Sequence, residues 1–129
     1  MFAVGAISAL VPTEKTRQAS YLFSLLGSIG LLALGLLLTV RTPVSYHVLP
    51  VSAIFEFSFR GDSLAGFFII TISLITFAVS LYSLGVSRDL PHAGLAGFFF
   101  NVLVLSLYAV ALSADLFTFL VSWETMAIS

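Results

Sequence analysis

The sequence predicts an all-α fold: a polytopic transmembrane helix bundle with three full spans, a partial N-terminal segment, a truncated fourth span and one short extramembrane β-hairpin. Three observations predict it. Apolar residues make up 60% of the chain and charged ones only 9%, against about 25% charged in a soluble domain. Mean hydropathy is +1.15. The few charges punctuate the chain and leave uncharged runs at residues 18–40, 63–87 and 90–114, each reaching the roughly 20 residues that cross a hydrocarbon core.

Residues 1–12 are apolar but too few to cross, and Glu14, Lys15 and Arg17 follow them instead of preceding them as the basic residues of a secretory signal do. This opening reads as a surface segment or as the tail of a first helix. The span at 18–40 comes next. The linker 41–61 differs from the other connections: Pro43 and Pro50 disfavour helix, and Phe55-Glu56-Phe57-Ser58-Phe59-Arg60 alternates apolar and polar residues with the period of a strand. A short external hairpin follows, with its phenylalanines expected on the helix ends or against a neighbouring subunit.

Asp62 or Ser63 is placed to cap the span at 63–87, because a side-chain oxygen there accepts from amides left free in the first turn. Gly85 and then Pro91 supply its stop signals. Arg88, Asp89 and His92 mark a short turn into the span at 90–114. Ala114-Asp115 marks a tight turn into a fourth apolar segment, 115–129, with Asp115 as N-cap. About 14 residues fall short of a crossing, so residues 1–129 read as one membrane domain, the N-terminal part of a longer subunit. A re-entrant half-helix is the other reading of that segment. Short turns imply antiparallel neighbours.

A net charge of −1 with no basic cluster leaves no footprint for nucleic acid. Absence of cysteine excludes disulfides and thiolate-held clusters, and His47 and His92 sit in different loops, so no cofactor or metal is expected. Lys15, Arg17 and Arg88 against Arg41 and Arg60 favour a cytoplasmic start and an external hairpin by a single charge.

Glu124 stands out. It is a lone formal charge inside the apolar run Leu116-Phe117-Thr118-Phe119-Leu120-Val121-Ser122-Trp123-Glu124-Thr125-Met126, and such carboxylates face a polar cavity, a partner charge or an ion path. Nine residues beyond Asp115 is a rise of about 13 Å, near the midplane of a core about 30 Å thick. Burial raises a carboxyl pKa and a nearby cation lowers it, and a carboxyl balanced between the two takes up and releases a proton as its partner moves. The alternative is a protonated carboxyl bonded to a neighbouring helix. Asn101 and Asp115 are accessory polar candidates. Asn101 serves either as an interhelical hydrogen-bonding group or as part of a hydrated path. Gly27, Gly30, Ala33, Gly35, Gly94 and Gly97 read as close-packing positions, and Phe98-Phe99-Phe100 as lipid-facing or interfacial bulk.

At Ser80-Leu81-Tyr82-Ser83-Leu84-Gly85, Gly97-Phe98-Phe99-Phe100-Asn101 and Ala114 through Ala127, the chain resembles the antiporter-like membrane subunits shared by respiratory complex I, Mrp-type cation/proton antiporters and energy-converting hydrogenases. The likeness is nearest to the branch of hydrogenase-4 component B and the formate hydrogenlyase membrane subunit. Phe59-Arg60-Gly61-Asp62-Ser63-Leu64 resembles that family's entry into its third helix, and the likeness covers residues 55–129. It implies about fourteen helices with two inverted repeats, of which 1–12 would be the end of the first helix and 115–129 the start of the fifth. It also implies that Glu124 is the fifth-helix glutamate, which pairs with a lysine two helices later in proton translocation. The only lysine here is Lys15, in a loop.

The resemblance therefore implies a multi-pass proton or cation/proton translocating subunit in the cell's inner (cytoplasmic) membrane. Its partners would be other membrane subunits of an oxidoreductase or antiporter complex, with the redox chemistry outside this chain. The alternative is a small structural or assembly membrane subunit without ion transport.

Overall fold

The computed structural model describes residues 1–9, 14–40, 44–50, 56–86 and 93–129. The Arg88, Asp89, Pro91 and His92 turn, Phe55, Arg41 and Pro43 lie outside the described residues. Among the described residues, five helices and one hairpin follow in order: α1 (Phe2–Ala9), α2 (Glu14–Val40), β1 (Val44–Pro50), β2 (Glu56–Gly61), α3 (Ser63–Val86), α4 (Ala93–Leu112) and α5 (Leu116–Ile128). Three of them, over Gln18–Val40, Ser63–Val86 and Gly94–Leu112, are long and apolar enough to cross a membrane, and α5 is a shorter apolar helix.

Helix ends differ from the hydropathy runs where something other than solvent sets them. α2 begins at Glu14, four residues before the apolar run, so Lys15 lies in its first turn and not in a loop, because a charged turn continues a helix freely once outside hydrocarbon. α3 passes through Gly85 to Val86, so that glycine does not end it. Its start matches expectation, with Ala65 N–H donating to Asp62 Oδ1 at 2.9 Å. α4 stops at Leu112 instead of residue 114 because the hairpin takes over the chain there. Ser113 forms a β-bridge with Phe59, and Ala114 N–H donates to the Ser58 carbonyl at 3.0 Å.

The hairpin pairs antiparallel from Val44 opposite Gly61 to Pro50 opposite Glu56, with an irregularity between His47 and Leu49. Phe57 rests on Phe117 at the start of α5, ring centroids 5.3 Å apart, as expected of a phenylalanine on a helix end. Its neighbour on the opposite face, Ser58, is buried.

The bundle is turned inside out relative to a soluble domain. Among the described residues, eleven buried side chains are polar and seven hydrophobic, while Leu26, Ile29, Leu37, Phe67, Leu74, Ile75 and Leu81 lie exposed. Lipid is as apolar as leucine, so helices gain nothing by hiding leucine from it and associate through close packing and hydrogen bonds. The apolar core is correspondingly small: Phe2, Ile69, Val104 and Tyr108, flanked by Leu31, Leu38, Ile72, Phe100 and Leu112.

α1 is a bundle helix and not a surface segment. It packs against α2 and α4, with Phe2 on the Tyr108 ring at 5.6 Å between centroids. Glycines make the approaches possible. A Cβ on Gly27 would lie 2.9 Å from the Phe2 ring, and one on Gly97 would lie 3.2 Å from Ser20 Oγ. α2 and α3 meet backbone to backbone, where a Cβ on Gly66 would meet the Gly35 carbonyl oxygen at 3.0 Å and Thr39 N at 3.1 Å. Gly30 departs from expectation, since nothing lies within 4 Å of its Cβ position.

Gly66→Ala is expected to cost about 1–3 kcal/mol, because a backbone cannot give way as a side chain does. Gly30→Ala is expected to stay within about 0.5 kcal/mol. Denaturant unfolding in bicelles measures both, and equal effects would refute the crossing as described.

Candidate functional site

Three polar centres sit on this frame. The first is Asp115, held at the boundary where α4 ends and α5 begins. Its backbone is extended, φ −137° and ψ 165°, as an N-cap requires. Oδ1 accepts from Thr118 N–H at 2.8 Å. Oδ2 accepts from Thr118 Oγ1 at 2.8 Å and from Ser58 N–H at 3.2 Å, and the Ser58 hydroxyl donates to it too. Ser58 N–H also reaches Thr118 Oγ1 at 3.1 Å. The Ser58 hydroxyl and then the Thr118 amide hold the Asp115 carboxyl well below the usual carboxylate range. Asp115 was legible as a cap. Its bond to a strand 57 positions earlier had no local signal.

The second centre is Asn101, completely buried between α1, α2 and α4. Its amide nitrogen donates to Ser20 Oγ at 3.0 Å and to the Gly97 carbonyl at 2.8 Å, and its oxygen accepts from Ser24 Oγ at 2.8 Å. This is the interhelical bonding anticipated for it. α1 closes the site from the third side, where a Cβ on Gly5 would stand 2.6 Å from Asn101 Oδ1 and 3.2 Å from the Ser20 carbonyl oxygen. One α-helical turn separates Ser20, Ser24 and Ser28, all buried, which makes α2's inner stripe hydroxyl-lined. On α3 the same pattern gives Ser73, Thr76 and Ser80, with Ser73 Oγ 2.9 Å from the Tyr108 hydroxyl.

The third centre is Glu124. It is exposed, and no described side chain hydrogen-bonds to it. α5 buries Thr118 and Ser122, one turn apart, and at 100° per residue Glu124 lies 200° around from Ser122. It projects from the helix face opposite the one packed on α4. Trp123, beside it, stacks on Phe119 with centroids 5.8 Å apart. The structure therefore brings Asp115 together with Ser58 and Thr118, and Asn101 together with Ser20 and Ser24, but it does not bring Glu124 to either. Among the described residues, no group of three or more His, Cys, Asp or Glu is arranged to hold a metal ion.

Apolar spanning helices around a hydroxyl-lined interior define a polytopic membrane protein. No protein-family model matches the chain. Over 80 residues it is 39% identical to hydrogenase-4 component B of Escherichia coli (strain K12), a match covering 58% of this chain and 12% of that protein. The chain thus spans a small fraction of its curated relative, and the similarity agrees with the branch read from the motifs.

The Asp115 link gives a pH prediction. A carboxyl whose folded pKa is depressed contributes stability that is present above its unfolded pKa, about 3.9, and lost only as pH falls through the lower folded value. Protection of the Ser58 amide from hydrogen exchange, corrected for intrinsic rate, should hold from about pH 7 down to about pH 4. It should fall in Asp115→Ala at every pH. Loss of protection in the wild type near pH 5 would contradict this.

Proposed function

We propose that this chain is part of a proton-translocating, antiporter-like membrane subunit of a hydrogenase-type oxidoreductase complex in the inner membrane, with Glu124 as an intramembrane proton-relay carboxylate. The observation that carries the reading is the direction of Glu124. A carboxylate about 13 Å along an apolar helix projects away from the packed face of its own bundle, so any cation that stabilises it comes from elements outside these contacts. Such a cation lowers the carboxyl pKa when close and releases it when withdrawn, which couples a movement of charge to protonation. Similarity to hydrogenase-4 component B supports the type of complex, and the resemblance around Trp123-Glu124-Thr125-Met126 supports the role. Residues 1–129 form one membrane domain in this reading, and Asp115 and Asn101 serve it structurally, by fixing the start of α5 and by joining α1, α2 and α4.

The second reading is a structural or assembly subunit without ion transport. The bonding of Asn101 to Ser20, Ser24 and Gly97 favours it, since a polar group bonded within the chain needs no water path.

Glu124→Gln separates the two. The amide keeps size and hydrogen bonding but cannot exchange a proton. Under the relay reading, substrate-driven proton translocation by the assembled complex should fall at least about 100-fold, the low end for loss of a positioned acid–base group, with complex abundance unchanged. Translocation at the wild-type rate would establish the structural reading in its place.

A further inference from the structure

A cleft of about 550 Å³ opens between α3 and α4 at the hairpin end of the bundle, with Arg60 and Asp62 at its rim and Phe68, Ile72, Leu107 and Ala111 among its walls. Its volume falls in the range of small-molecule sites, about 300–1,000 Å³. Its depth is informative. From Asp62 at the rim to Ile72 on α3 is ten residues, about 15 Å, which is half the hydrocarbon thickness. The cleft thus descends one leaflet, polar at the mouth and apolar below.

The rim carries two opposite charges that leave each other free. Among the described residues, Arg60 is exposed on β2 and has no ion-pair partner. Asp62 commits Oδ1 to the Ala65 amide, and no other described hydrogen bond uses its carboxylate. A guanidinium pairs with a phosphate through two parallel hydrogen bonds, and a carboxylate accepts from a primary ammonium. Both line this one cleft, and together they match a headgroup that bears both groups.

We infer that this cleft binds a phospholipid with an ethanolamine-type headgroup, phosphate on Arg60, ammonium on Asp62, and one acyl chain along Phe68, Ile72, Leu107 and Ala111. A transmembrane helix from a neighbouring protein would fill the same walls without needing either charge.

The test extracts the protein, in its native assembly, from nanodiscs containing equal phosphatidylethanolamine and phosphatidylglycerol, and counts retained lipid by native mass spectrometry. Both variants preserve the fold, since Arg60 is exposed and asparagine caps a helix as well as aspartate. Wild type should retain phosphatidylethanolamine in preference to phosphatidylglycerol. Arg60→Gln should lower retention about tenfold, as loss of a charge-assisted hydrogen bond does. Asp62→Asn should keep lipid but lose the preference. Retention insensitive to Arg60→Gln, no preference in the wild type, or a photo-crosslinker at Ala111 capturing polypeptide instead of lipid would each overturn the assignment.

Discussion

Asp115 is the joint on which the rest of this structure depends. One oxygen starts α5, and the other holds the hairpin, so the phase of the helix and the position of the strand are set by the same carboxylate. A helix that began one residue later would rotate every side chain by 100°. Thr118 and Ser122 would leave their packed face and Glu124 would move toward it. The outward direction of Glu124 is thus a consequence of the cap. The hairpin gains in return. Its β2 edge would otherwise expose unpaired backbone groups, an invitation to pair with another chain, and Ala114 and Ser113 cover that edge.

Interior polarity and lipid exposure are two sides of one energetic fact. Hydrogen bonds between membrane helices average only about 0.6 kcal/mol, because the separated helices find other partners. Ser24 illustrates this: its hydroxyl has the Ser20 carbonyl at 3.0 Å as well as Asn101 at 2.8 Å. Such bonds orient helices more than they bind them together. Close backbone contact has to carry the rest, and the glycines at 35 and 66 provide it by letting the backbone of each helix approach that of the other.

Much of this was readable beforehand, and the reasons are specific. Uncharged runs located three spans because hydropathy reports where solvent ends. Asp62 and Asp115 were recognisable caps because capping is local, spanning three residues. Ser58 gave no such signal: within the alternation it belongs to the polar face, and only contact with α5 buries it. Gly5 likewise looked like any small residue, until Asn101, 96 positions later, proved to occupy the space beside it. The extension of α2 to Glu14 was hidden because helix and hydrocarbon have different ends. Glu124 was legible as an anomaly of charge, but the face it takes depends on where α5 begins.

The cradle around Asn101 also has a history in time. Chains emerge N-terminal first, so α1 and α2 are made well before α4, while α2 and α3 follow one another closely and can dock on their shared glycines early. Gly5 and Ser20 must therefore wait, with Ser24 bonding to the Ser20 carbonyl of its own helix, until Asn101 arrives. Assembly of the N-terminal helix is tied to synthesis of the third span. A ribosome pausing between them would leave α1 held by α2 alone.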